Sequence, residues 1–190
     1  MESGLIPAER PFIRTVPRRD WLKTDKTPKY NKHKPARIVV HHSAAPTAKQ
    51  FHGDQTIQGI HRYHTVNNKW SDIGYHFLIS PDGSTIFEGR PVDAVGAHCG
   101  GTPPKGVTRN FGNTGSVGIC LVGDYDNEQP TDAALHTLAV LIVDLCEKWQ
   151  IDSRQIYGHC EAWSRPPKSC PGKNLFISLF GRNRWETLKI

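Results

Sequence analysis

Ten histidines and five cysteines stand in a chain of 190 residues, and the productive question is which of them meet around one ion. His41 and His42 close a short β-branched run, Ala36-Arg37-Ile38-Val39-Val40-His41-His42, which ends at Ser43. His159 closes a second short run, Ile156-Tyr157-Gly158-His159. Cys170 lies in Arg165-Pro166-Pro167-Lys168-Ser169-Cys170-Pro171-Gly172, where the prolines restrict the backbone around the thiol. Strand ends converge in a sheet, so His41, His159 and Cys170 are candidate metal ligands. Two imidazoles and one thiolate around zinc leave a fourth position open, the mark of a catalytic rather than a closed structural site. The ligands are scattered along the chain, so spacing alone is a weak signal.

The elements that must position these residues follow from periodicity. Residues 36–42 and 116–122 read as buried strands, and 74–79 with 84–88 as a hairpin around Pro81-Asp82-Gly83. Asp54 opens an amphipathic helix carrying Ile57, Ile60, His61 and His64, which Asn67-Asn68 ends. The longest helix is expected over 132–149, with Leu135, Leu138, Leu141, Ile142, Leu145 and Trp149 as its apolar stripe. Strands and helices interleave, so the fold class is α/β, a single mixed β-sheet flanked by helices. Residues 1–35 read as an extended N-terminal arm with a short helix near Arg18-Arg19-Asp20-Trp21-Leu22, and 36–190 as the main domain. The glycine- and proline-rich stretch 100–115 reads as a functional surface loop lining a groove.

Composition narrows the setting. No apolar run is long enough to cross a bilayer, and the N-terminus shows no basic start followed by an apolar stretch, so synthesis is expected to end in the cytosol. An odd cysteine count without paired spacing argues for reduced thiols. The net charge of +6 favours polyanions without choosing among them, and no nucleic-acid motif is present, so no nucleic acid is expected as a partner.

Six strings in order, Ile38-Val39-Val40-His41-His42-Ser43, Trp70-Ser71-Asp72-Ile73-Gly74-Tyr75-His76-Phe77, Val95-Gly96-Ala97-His98, Ser116-Val117-Gly118-Ile119, Gly158-His159 and Lys168-Ser169-Cys170-Pro171, resemble the type 2 N-acetylmuramoyl-L-alanine amidases. That family includes phage lysozyme amidases and animal peptidoglycan-recognition proteins. The resemblance covers about residues 36–172 and implies a zinc-dependent enzyme that cuts the amide between N-acetylmuramic acid and the first alanine of the peptidoglycan stem. It implies His41, His159 and Cys170 as zinc ligands and Tyr75 as the active-site phenol, with the Lys168 ammonium stabilising the oxyanion. It also implies His98 and Asn113 as substrate contacts, and Glu161 is read as orienting an imidazole.

Several expectations accompany this reading. His42 should point to the opposite strand face from His41, and Cys160 away from the ion. His61 and His64 receive no metal role. The stretch from His159 to Cys170 is longer than in the family pattern and must bulge. Absence of a leader suits a phage endolysin, the reading taken over two alternatives: a recognition module that binds peptidoglycan without cutting it, and a cytosolic amidase recycling muropeptides. An endolysin would act on the wall after holin-type release, and a monomer is expected.

Overall fold

The computed structural model describes residues 13–24, 27–100, 112–162, 169–186 and 188. Six strands form one mixed sheet in the order β1-β4-β3-β5-β2-β6: β1 is Arg14–Val16, β2 Arg37–His42, β3 Phe77–Ile79, β4 Thr85–Glu88, β5 Ser116–Leu121 and β6 Ile156–Gly158. Only the β3–β4 hairpin is antiparallel; the other neighbours run parallel, as connections through helices require.

Side-chain alternation sorts the sheet into two packed faces. Ile38, Val40, Ile79, Ile86, Val117, Ile119 and Leu121 meet helix α3 (Asp132–Trp149) on one face. Leu78, Phe87, Cys120 and Val122 meet α1 (Arg18–Leu22) and α2 (Asp54–Arg62) on the other. On α3 the buried positions are Ala134, Thr137, Leu138, Leu141 and Leu145, while Leu135, Ile142 and Trp149 pack from its margins. Thr131 caps that helix by accepting the Ala134 N–H at 3.1 Å. The helix sits close on the hairpin turn: Thr137 donates to the Gly83 carbonyl at 2.6 Å. A Cβ on Gly83, at φ 73°, would lie 2.5 Å from the Ala133 backbone.

Three local features differ from the sequence reading. Arg14–Val16 is a strand of the sheet, too short to show periodicity, with only Val16 buried. The expected short helix Arg18–Leu22 follows it, and its fully buried Trp21 donates Nε1–H to the Glu88 carbonyl at 2.7 Å. The helix from Asp54 ends at Arg62 and continues as one π-helical turn, Tyr63–Asn67. His159 opens a 3₁₀ turn, His159–Glu161, rather than ending a strand. Beyond it, α4 (Lys173–Phe180) and α5 (Arg182–Glu186) cover the β6 side through Leu175 and Phe176.

Candidate metal centre

β2 lies between β5 and β6, so the C-terminal ends of three parallel strands open at one place. His41 from β2, His159 from the turn after β6, and Cys170 bring one ligand atom each to within 4.8 Å of one another. His41 and His159 are buried, and their ring centroids are 4.4 Å apart. The Cys170 Sγ stands 3.6 Å from His41 Nδ1. A nitrogen and a sulfur bound to one tetrahedral zinc, at about 2.0–2.1 and about 2.3 Å, would stand about 3.6 Å apart. The residues present therefore fit such an ion.

Which histidines offer a lone pair is decided by their backbone partners. His42 Nδ1 accepts the Tyr125 N–H, His64 Nδ1 that of Gly74, His76 Nδ1 that of Gly118, and His33 Nδ1 that of Gly115. A neutral ring accepting on Nδ1 carries its proton on Nε2, so none of these four offers a lone pair to a cation. Burial lowers His64 and His76 to pKa values of about 4, and lowers His42. This removes a second cluster, His42 with Asp124 and Asp126, from consideration as a cation site. Its carboxylates are already engaged, Asp126 by Ser169 Oγ and the Lys173 N–H, and Asp124 by Asn127 Nδ2. His42 does face away from His41, toward Tyr125 on the α3 face.

A third group, His41, His98 and Cys99, is wholly buried. Its two nitrogens, His41 Nε2 and His98 Nδ1, are 2.9 Å apart. That is hydrogen-bond spacing, whereas nitrogens sharing a tetrahedral zinc would stand about 3.3 Å apart. The pair is joined by a proton.

The remaining expected residues have these places. Tyr75 is half-buried with its ring 5.2 Å from that of His41, and burial, then the nearby Cys120 and Cys170 sulfurs, push its phenol well above the ordinary value. His98 is buried behind His41, and Asn113 Oδ1 accepts the N–H groups of His98 and Cys99 at 2.8 and 2.7 Å. Where substrate contacts were expected, both have partners within the protein. Glu161 accepts from Arg184 at 2.8 Å and from the Gly158 N–H at 2.9 Å, holding the turn that carries His159. Cys160 is absent from the ligand group because consecutive residues of a 3₁₀ turn diverge, not because strand faces alternate; its N–H donates to the Cys170 carbonyl at 2.6 Å. Lys168, the longer stretch before Cys170 and most of the expected loop 100–115 lie outside the described residues.

The sequence reading did not find the buried Asp72. It accepts from Arg18 at 2.9 Å, faces His61 Nε2 at 3.1 Å and accepts from the Tyr30 hydroxyl. No local signal could have found this centre, whose partners come from distant parts of the chain. His61 is thus engaged away from the His41, His159 and Cys170 cluster. Beside the cluster an apolar cavity of about 730 Å³ runs past Ser43, Ala44, Pro46, Ile60, His64 and Tyr75.

The family profile described as N-acetylmuramoyl-L-alanine amidase matches residues 31–173. Peptidoglycan-recognition protein SC2 of Drosophila melanogaster is 33% identical over 150 residues, covering 78% of this chain and 74% of its own. An endolysin of Klebsiella phage KP32 is 35% identical over 145 residues, covering 74% of this chain and 82% of its own. Among solved structures, Drosophila peptidoglycan-recognition protein LB superposes with a TM-score of 0.70 at 29% identity, over 88% of this chain and 92% of that one. A variant of that protein was solved in complex with tracheal cytotoxin.

Proposed function

The chain belongs to the N-acetylmuramoyl-L-alanine amidase family, and from that premise we propose that it is a zinc-dependent hydrolase cutting the amide between N-acetylmuramic acid and L-alanine in peptidoglycan. The observation that carries this reading is the convergence of His41, His159 and Cys170, with a nitrogen–sulfur spacing of 3.6 Å that suits a single tetrahedral ion. Zinc held there supplies a Lewis acid and lowers the pKa of water to about 7. The chain's own residues orient and stabilise. Tyr75 sits between the ligand cluster and the apolar cavity, where its hydroxyl donates a hydrogen bond to the oxygen that gains charge as the lactyl carbonyl becomes tetrahedral. The cavity, walled by Ala44, Pro46 and Ile60, takes the muropeptide. Lys168 keeps the oxyanion-stabilising role that the family resemblance gives it.

The likeness to a phage endolysin supports action on the cell wall from a phage-encoded chain, after the host membrane is opened. Turnover of intact sacculi well above that of soluble muropeptides is the result expected of an endolysin; the reverse ratio identifies a recycling amidase.

The test pairs metal analysis with mass spectrometry of digested sacculi. Wild-type protein is expected to hold about one zinc per chain and to release new alanine amines, and chelator should abolish the release. Cys170→Ala should lose both metal and cleavage. Binding to sacculi without new amines would identify a recognition module instead, and full cleavage by a metal-free Cys170→Ala protein would remove zinc from the account.

A further inference from the structure

We propose that His98 is a positioning residue for the metal centre: its Nδ1 accepts the His41 Nε2–H and so commits His41 to offer Nδ1 to the ion. The inference rests on the proposed role of His41 as a ligand. His98 Nε2 lies 3.3 Å from the Ser116 carbonyl oxygen, which only accepts, so His98 carries its proton on Nε2. Its Nδ1 is then an acceptor, and the nitrogen 2.9 Å away, His41 Nε2, must be the donor. The His41 proton is placed on Nε2, and the Nδ1 lone pair faces Cys170 Sγ at 3.6 Å. Three contacts in series select one tautomer of the ligand.

The protein builds a slot for this ring. A Cβ on Gly118 would lie 2.6 Å from the His98 ring, and one on Gly96 would lie 2.5 Å from it, so both glycines are needed for the imidazole to stand where it does. Asn113 fixes the backbone beneath it by accepting the N–H groups of both His98 and Cys99. His76 closes a further side at 5.6 Å between ring centroids, itself pinned by the Ala94 carbonyl and the Gly118 N–H. A ring so enclosed is set as the metal-ligating His is set elsewhere, where the nitrogen not bound to metal donates to a fixed acceptor. Here that acceptor is a second imidazole.

His98→Leu keeps apolar volume but removes the acceptor, whereas His98→Asn returns an oxygen at the position of Nδ1. Zinc affinity, measured by competition with a chromophoric chelator, should fall about 10–100-fold in the leucine variant and recover most of that loss in the asparagine variant. Equal affinity of the leucine variant and wild type, or equal weakness of both variants, would overturn the proposal. A second readout uses metal-free wild-type protein: nitrogen NMR should find His41 protonated at Nε2, with a coupling across the hydrogen bond to His98 Nδ1. A His41 ring protonated at Nδ1 there would overturn the relay. Because that spectrum contains no zinc, it separates failure of the positioning role from failure of the zinc reading, which the metal content of Cys170→Ala decides.

Discussion

Two buried polar centres sit on this sheet, and they are built on opposite principles. At Asp72 one carboxylate is surrounded by donors, the Arg18 guanidinium, the Tyr30 hydroxyl and the His61 ring. The Arg90 guanidinium ties down the same segment through the carbonyls of Asp72, Ile73 and Val95. An opposite charge and two further donors satisfy that carboxylate. At His41, His159 and Cys170 two imidazole nitrogens and a sulfur, all groups able to ligate a metal, converge within 4.8 Å. A cation at that point would take one lone pair from each of the three residues. The first centre ties the N-terminal segment to the fold, and the second gathers residues that could hold a metal ion.

The contrast breaks most visibly at Asp72. Asp72→Ala leaves the Arg18 cation facing a buried vacancy and should cost about 3–5 kcal/mol, read as a lower denaturant midpoint, while zinc content per folded chain stays at wild type. A loss of zinc with no loss of stability would mean that the two centres are one network. Tyr75→Phe should do the converse: kcat falls by about 10²–10³ for loss of one oxyanion donor, with zinc affinity and midpoint near wild type.

The pH dependence of stability sharpens the same division. His64 and His76 are held to about 4 in the fold against an ordinary 6.5, mainly by burial. Between those values the unfolded chain binds protons that the fold refuses, so stability falls as pH drops from 6.5 toward 4, by up to roughly 1.4 kcal/mol per unit for each ring. Asp72 is depressed by its His61, Tyr30 and Arg18 hydrogen bonds, which outweigh its burial. Its stabilisation is complete above the ordinary carboxylate value and is lost only as pH falls below it toward the depressed one. Denaturation midpoints across pH 7 to 3 should therefore decline in two stages, and His64→Gln should flatten only the first.

How much of this was legible in the sequence follows the range of the interactions. The β-branched run before His41 and the stripe of Leu138, Leu141 and Leu145 announce a buried strand and its covering helix, because burial on one face imposes a period on neighbouring residues. The grouping of His41, His159 and Cys170 was expected from the six strings in order, and the fold brings one potential ligand atom of each to within 4.8 Å of the others. Arg14–Val16 escaped notice because three residues carry no period. The π turn at Tyr63–Asn67 and the 3₁₀ turn at His159–Glu161 escaped because both continue a plausible pattern with a different hydrogen-bond step. The partners of Asp72, His98 and Asn113 were out of reach, since which backbone amide meets which side chain is settled only by packing.

Cys170 stands 129 residues along the chain from His41, three positions before the helix that closes the β6 side. An ion shared by that pair closes a very large covalent circuit and fastens the end of the polypeptide to its central strand. On the proposed zinc reading, stripping the metal should let the last two helices peel away before the sheet comes apart.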